Sequence, residues 1–96
     1  NEGPELSPAL VEQLRTLAPK GVSLDMVKTL VSYYLANKPE DSDWVVLPVA
    51  NFDAYFGTTS FGRKYLKQIP ETIMERSETG FGLCRYRLGE GIVIES

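Results

Sequence analysis

The chain has 96 residues, a formal net charge of −3, one cysteine and no histidine. A chain of this length forms one domain around a single modest core. The lack of histidine excludes Ser-His-Asp and Cys-His catalytic arrangements and mixed zinc sites, and the single Cys84 excludes an internal disulfide. The sequence also has no pattern of paired carboxylates suited to acid–base catalysis. We therefore expect no enzymatic activity, no cofactor and no bound metal.

The charge is distributed unevenly along the chain. Residues 59–88 carry six basic and three acidic side chains, whereas residues 1–58 carry four basic and eight acidic ones. The pI of about 4.9 argues against a nucleic-acid partner, but a segment of opposite sign indicates a charged partner more strongly. No apolar run of membrane-spanning length and no signal-peptide pattern is present, so we predict an intracellular domain (cytoplasm, nucleoid or nucleus) without a membrane partner. The chain begins with Asn1, which is consistent with a fragment of a longer protein.

Two helices are predicted in the first part of the chain. Ser7 followed by Pro8 is a typical helix start, and apolar residues spaced by three and four predict a helix over 7–18. Ser23 is the expected N-cap of a second helix over 23–37, which has a longer apolar stripe. An acidic loop follows, and we interpret its Glu40, Asp41 and Asp43 as solvated side chains.

The middle of the chain predicts a short strand and two more helices. The aromatic and β-branched run at 44–47 favours a strand, with Trp44 packing in or beside the core. Pro48 then opens a helix over 48–57, and a further short helix is predicted over 60–69, ended by Pro70. The five aromatic residues expected to pack in the core are Tyr33, Tyr34, Phe52, Tyr55 and Phe56.

The last third changes to the period of two that is typical of strands. Strands are predicted over 72–77 and 82–88 around a polar, glycine-containing turn, which makes a β-hairpin. In the second strand Arg85 and Arg87 share one face, while Cys84 lies on the other as a small buried apolar residue. The tail, residues 89–96, either adds an edge strand or docks on the core.

This order of elements resembles the winged-helix class of helix-turn-helix domains over residues 23–88. The resemblance rests on element order and charge placement, and no specific family is identified. It implies an α+β, winged-helix-like domain spanning residues 1–96, with three to four helices, a short strand and a C-terminal hairpin as the wing. The helix over 7–18 is an addition to that core, and residues 89–96 form the tail.

The resemblance also implies non-catalytic binding of duplex DNA, as part of a transcription or replication factor. In DNA-binding members of the class the helix before the hairpin enters the major groove, where hydrogen-bond donors meet phosphates and base edges. That role falls here on the helix over 60–69, with the hairpin as a second basic contact. The predicted nucleic-acid-binding residues are Thr59, Ser60, Arg63, Lys64, Lys67, Gln68, Arg76, Arg85 and Arg87.

Two other interpretations stay open. A solvated helix face also explains Arg63, Lys64 and Lys67. Charges that protect an edge strand from aggregation also explain Arg85 and Arg87, and pairing with a nearby acid also explains Arg76. Alternatively, the scaffold docks a protein partner or a second copy of itself. The acidic pI and an apolar patch from Tyr33, Trp44 and Tyr55 favour this protein–protein interaction module.

Overall fold

The structure is a computed structural model that describes residues 5–56 and 69–94. Within these ranges the helices are α1 (Pro8–Leu17), α2 (Leu24–Asn37) and α3 (Val49–Phe56), and the strands are β1 (Val45–Pro48), β2 (Met74–Gly80) and β3 (Leu83–Leu88). The strands form one antiparallel sheet in the order β1–β3–β2. The α+β class is therefore confirmed. The helix predicted over 60–69 lies outside the described residues, apart from the buried Ile69.

Serine caps fix the start of the first two helices, as predicted. The Ser7 hydroxyl accepts a hydrogen bond from the backbone N–H of Leu10 at 3.2 Å. Ser23 accepts in the same way from the N–H of Met26 at 3.4 Å. Each bond satisfies a donor that the first helical turn would otherwise leave free. No helix in residues 5–56 and 69–94 combines the length and apolar character that a membrane span requires.

The central strand β3 defines two faces of the sheet. Tyr86 pairs with Val45 on one side and Arg76 on the other, and these three residues share the inner face, which carries the core. Arg85 pairs with Val46 and Ser77, and these share the outer face. Side chains alternate along each strand, so the pairing decides which charged residues become neighbours.

The hairpin turn falls later than the sequence predicts. The turn expected between the two predicted strands, at residues 78–81, is largely strand, because β2 continues to Gly80 with a bulge between Glu78 and Gly80. The reversal is made by Phe81 and Gly82. A bulge adds a residue to one strand, and Gly80 and Gly82 adopt positive φ angles that permit the tight reversal.

The core lies between the inner face of the sheet and the helices. Tyr86 is fully buried, and its hydroxyl donates to the Leu30 carbonyl of α2 at 2.9 Å. Its ring lies 5.8 Å from the ring of Phe52 and 5.9 Å from that of Phe56, measured between centroids. Cys84 is also fully buried, as predicted. Burial of these large side chains is the main favourable term for a domain of this size.

At the edge of the core, the prediction for Tyr55 is wrong, and one of the two alternatives for the tail is confirmed. Tyr55, expected in the core, is 48% exposed because the buried stripe of α3 passes through Phe52 and Phe56 instead. Tyr55 lies beside Tyr33, with ring centroids 5.2 Å apart. The tail, whose described part ends at residue 94, docks on the core through the buried Ile92.

Candidate nucleic-acid interface

The described part of the predicted interface is the set of three hairpin arginines, and the sheet divides them. Arg85 and Arg87 lie on the outer face of β3, as the alternation predicts. Arg76 lies on the inner face of β2, opposite Tyr86. The other predicted residues, Thr59, Ser60, Arg63, Lys64, Lys67 and Gln68, lie outside the described residues.

Arg85 lies over an aromatic ring. Its guanidinium carbon lies 4.0 Å from the centroid of the Trp44 ring, and its Nε donates to the Ser77 hydroxyl at 3.1 Å. Among the described residues, no carboxylate lies within ion-pair distance of Arg85 and no hydrogen bond engages its terminal nitrogens. Its planar fork of donors therefore keeps the geometry that suits a carboxylate or a phosphate.

Arg87 contacts the same indole ring but is neutralised. Its guanidinium carbon lies 4.6 Å from the Trp44 ring centroid. Its Nη2 donates to both carboxylate oxygens of Glu75, at 3.2 and 3.0 Å. Glu75 is the cross-strand partner of Arg87, so the hairpin register builds this pair. A phosphate would have to compete with Glu75 for Arg87.

Arg76 is engaged at the inner edge of the sheet. Its guanidinium carbon lies 4.7 Å from the Phe52 ring centroid, and its Nη1 lies 3.5 Å from a carboxylate oxygen of Glu78. Arg76 was expected either to contact DNA or to pair with a nearby acid. The structure contains the acid pair, with Glu78. Arg76 and the Arg85–Arg87 pair lie on opposite faces, so they do not form one stripe along the hairpin.

Sequence reasoning missed the role of Trp44. The residue was expected in or beside the core, and it is half-buried, with its ring against Arg85 and Arg87. This contact could not be predicted from the local sequence, because Trp44 precedes β1 and only the antiparallel register of β1 with β3 brings it level with Arg87. Three residues, Tyr33, Trp44 and Tyr55, were expected to form an apolar patch. Tyr33 and Tyr55 pack together on α2 and α3, whereas Trp44 lies directly before β1 with its ring against Arg85 and Arg87.

The Cys84 thiol is buried in the core, and burial disfavours its ionisation. Burial raises the pKa of the Cys84 thiol, an effect that the neighbouring Arg76 guanidinium opposes. A thiol of raised pKa is a poor nucleophile at neutral pH, because the thiolate is the reactive form. In residues 5–56 and 69–94 no group of three or more Cys, Asp or Glu side chains is placed to hold a metal ion.

The chain was compared with protein families, curated proteins and solved structures. No protein-family model, curated protein or solved structure matches this chain.

Proposed function

We propose that this domain binds duplex DNA without catalysis, as a winged-helix module of a transcription or replication factor. The order of elements supports this proposal, since the short strand β1 follows α2, the hairpin comes last, and the three strands join in one sheet. The basic segment that contains Arg63, Lys64 and Lys67 directly precedes the hairpin in the chain. A terminal hairpin after a basic segment is the arrangement that the resemblance assigns to DNA contact.

The observation that carries the proposal is the state of Arg85. It is a half-buried cation on an outer sheet face, stacked on Trp44, with its terminal nitrogens unengaged among the described residues. Stacking on a ring limits the rotamers of the guanidinium before any ligand arrives, so less conformational entropy is lost on binding. Such an arginine is suited to donate hydrogen bonds to a backbone phosphate.

The pairing in the hairpin sets the strength of binding. Arg87 and Arg76 are each paired with a glutamate, so Arg85 is the hairpin cation that adds to Arg63, Lys64 and Lys67. Four phosphate contacts correspond to a slope of log K against log salt of about −4. A single domain with so few contacts binds with roughly micromolar affinity at physiological salt, so a dimer or a larger parent protein would supply tighter binding.

The test is a fluorescence-anisotropy titration of a random-sequence duplex at 50 mM salt. The double variant K64Q/K67Q removes two positive charges from the basic segment, and K20Q/K28Q removes two from the first half of the chain as a matched control. The proposal predicts that K64Q/K67Q weakens binding at least tenfold on every sequence, while K20Q/K28Q binds like the wild type. Equal effects of the two double variants would refute a contact through the basic segment.

A protein-docking function is the second candidate, because of exposed apolar side chains on the outer face. Val46 is 57% exposed and Leu83 is 37% exposed, and both lie on the face that carries Trp44. Aromatic residues and arginine are enriched in protein interfaces. If a second copy covers this face, sedimentation velocity of the wild type will show a dimer that V46S/L83S dissociates, and duplex binding will not depend on these two residues.

A further inference from the structure

The tip of the hairpin, residues 80–82, carries a fully exposed aromatic side chain. Phe81 has no contact with the core, and its φ is +57° between Gly80 at +91° and Gly82 at +73°. A bulky residue rarely adopts a positive φ, because its Cβ crowds the following carbonyl. A large apolar side chain in full contact with water is a second unfavourable feature at the same residue. Strain and exposure together indicate that Phe81 serves a ligand rather than the fold.

The rest of the structure holds this tip in place. The backbone N–H of Val49, at the start of α3, donates to the Gly82 carbonyl at 2.8 Å. The Thr79 hydroxyl donates to the Leu83 carbonyl across the turn at 3.4 Å. The bulge between Glu78 and Gly80 shifts the strand just before the reversal. Phe81 is therefore presented by an anchored turn.

The tip is narrow and apolar. The two flanking glycines have no side chains, and nothing lies within 4 Å of the position where either would carry a Cβ. The single charged residue from 77 to 83 is Glu78, which pairs with Arg76. Arg85 follows Phe81 by four residues in the chain and lies on β3, just beyond the turn. The ligand must therefore offer a flat apolar surface near an anionic group.

We propose that Phe81 stacks on a nucleobase at an interrupted site in a duplex, such as a single-nucleotide gap, while Arg85 contacts the backbone. This inference rests on the proposed duplex binding and specifies its substrate. Stacking of one base on an aromatic ring raises affinity by roughly 5- to 100-fold. Opening an intact base step costs about as much as that contact returns, whereas a gap already exposes a base face. The tip therefore selects gapped over intact duplex.

The test compares two duplexes of identical sequence, one intact and one with a one-nucleotide gap that places 2-aminopurine beside the gap. We expect the wild type to bind the gapped duplex at least fivefold more tightly and to change the 2-aminopurine fluorescence. F81A removes both effects and keeps the affinity for intact duplex, whereas F81W retains both. Y55A, which truncates an exposed aromatic residue on α3, is the matched control and keeps the preference.

Circular dichroism of each variant confirms folding before titration. Equal wild-type affinity for the two duplexes, or an unchanged preference in F81A, overturns the inference while leaving duplex binding in place. Loss of a wild-type dimer in F81A with an unchanged gap preference also overturns it, and assigns the tip to a protein pocket. Failure of the wild type to bind either duplex at 50 mM salt removes the proposed function itself, and the inference with it.

Discussion

The guanidinium carbon of Arg85 lies 4.0 Å from the centroid of the Trp44 indole ring, although the two residues are 41 positions apart in the chain. Arg87 lies 4.6 Å from the same centroid. Two cations against one ring repel each other, and the Glu75 carboxylate on Arg87 offsets that repulsion. The outer face thus presents side by side one arginine paired with a glutamate and one that has no carboxylate partner among residues 5–56 and 69–94.

Substitutions of Arg85 and Arg87 should have different effects on the salt dependence of duplex binding. R85Q removes a cation that no described carboxylate neutralises, so we expect weaker duplex binding and a salt slope smaller in magnitude by about 1. R87Q removes a cation already neutralised by Glu75, so the slope should stay near the wild-type value. Anisotropy titrations between 50 and 300 mM salt measure both slopes. A larger slope change for R87Q than for R85Q would show that Glu75 does not neutralise Arg87.

Of the glycines that the structure describes, Gly89 should be the most sensitive to a single added methyl group. A Cβ at this position would collide with the backbone carbonyl of Glu71 and the backbone of Thr72, which are not free to move aside. We expect G89A to lower the free energy of unfolding by about 3 kcal/mol, as in overpacked sites. Urea denaturation measures the change. The exposed neighbour Glu90 provides the control, since E90A should change stability by less than about 0.5 kcal/mol.

Tyr86 should make the stability of the domain fall in alkali. Burial raises the pKa of Tyr86 well above the ordinary tyrosine value of about 10, and the neighbouring Tyr33 and Tyr34 raise it further. Above pH 10 the unfolded chain loses a proton that the folded chain keeps, so the free energy of unfolding decreases as pH rises. Below pH 10 this contribution is complete and constant.

The variant Y86F isolates that effect. At pH 7 it should be less stable than the wild type by about 1 kcal/mol, because the hydrogen bond to the Leu30 carbonyl is lost. Above pH 10 the stability advantage of the wild type should fall by up to about 1.4 kcal/mol per pH unit and reverse by about pH 11, since phenylalanine has no proton to lose. Urea denaturation at pH 7, 10 and 11 measures the difference in free energy of unfolding between the wild type and Y86F, with Y55F as an exposed control. A difference that stays constant with pH would contradict burial of an ionisable hydroxyl.

The local elements were predictable from the sequence because local chemistry determines them. Ser7 and Ser23 cap their helices by bonds to residues three positions ahead, so the helix starts can be read from short segments. The alternation of Cys84, Arg85, Tyr86 and Arg87 assigned the faces of β3 correctly. Arg76 has the same parity as the buried Met74, so its inner-face position was also present in the sequence.

The site itself depended on long-range pairing, which a short pattern does not contain. The contact of Trp44 with the arginines requires β1 to pair with β3 in one register. The Glu75–Arg87 pair requires the hairpin register, which the bulge after Glu78 and the late turn at Phe81 determine. A shift of one residue would move each side chain to the other face, so the charge pairing follows from tertiary structure.

The salt dependence of wild-type binding to a random duplex tests the central claim most directly. Four cations, Arg63, Lys64, Lys67 and Arg85, predict a straight line of log K against log salt with a slope of about −4. The account predicts that line between 50 and 300 mM salt, with the same slope for unrelated sequences. A slope near zero, or no binding at 50 mM, would contradict duplex recognition by this domain.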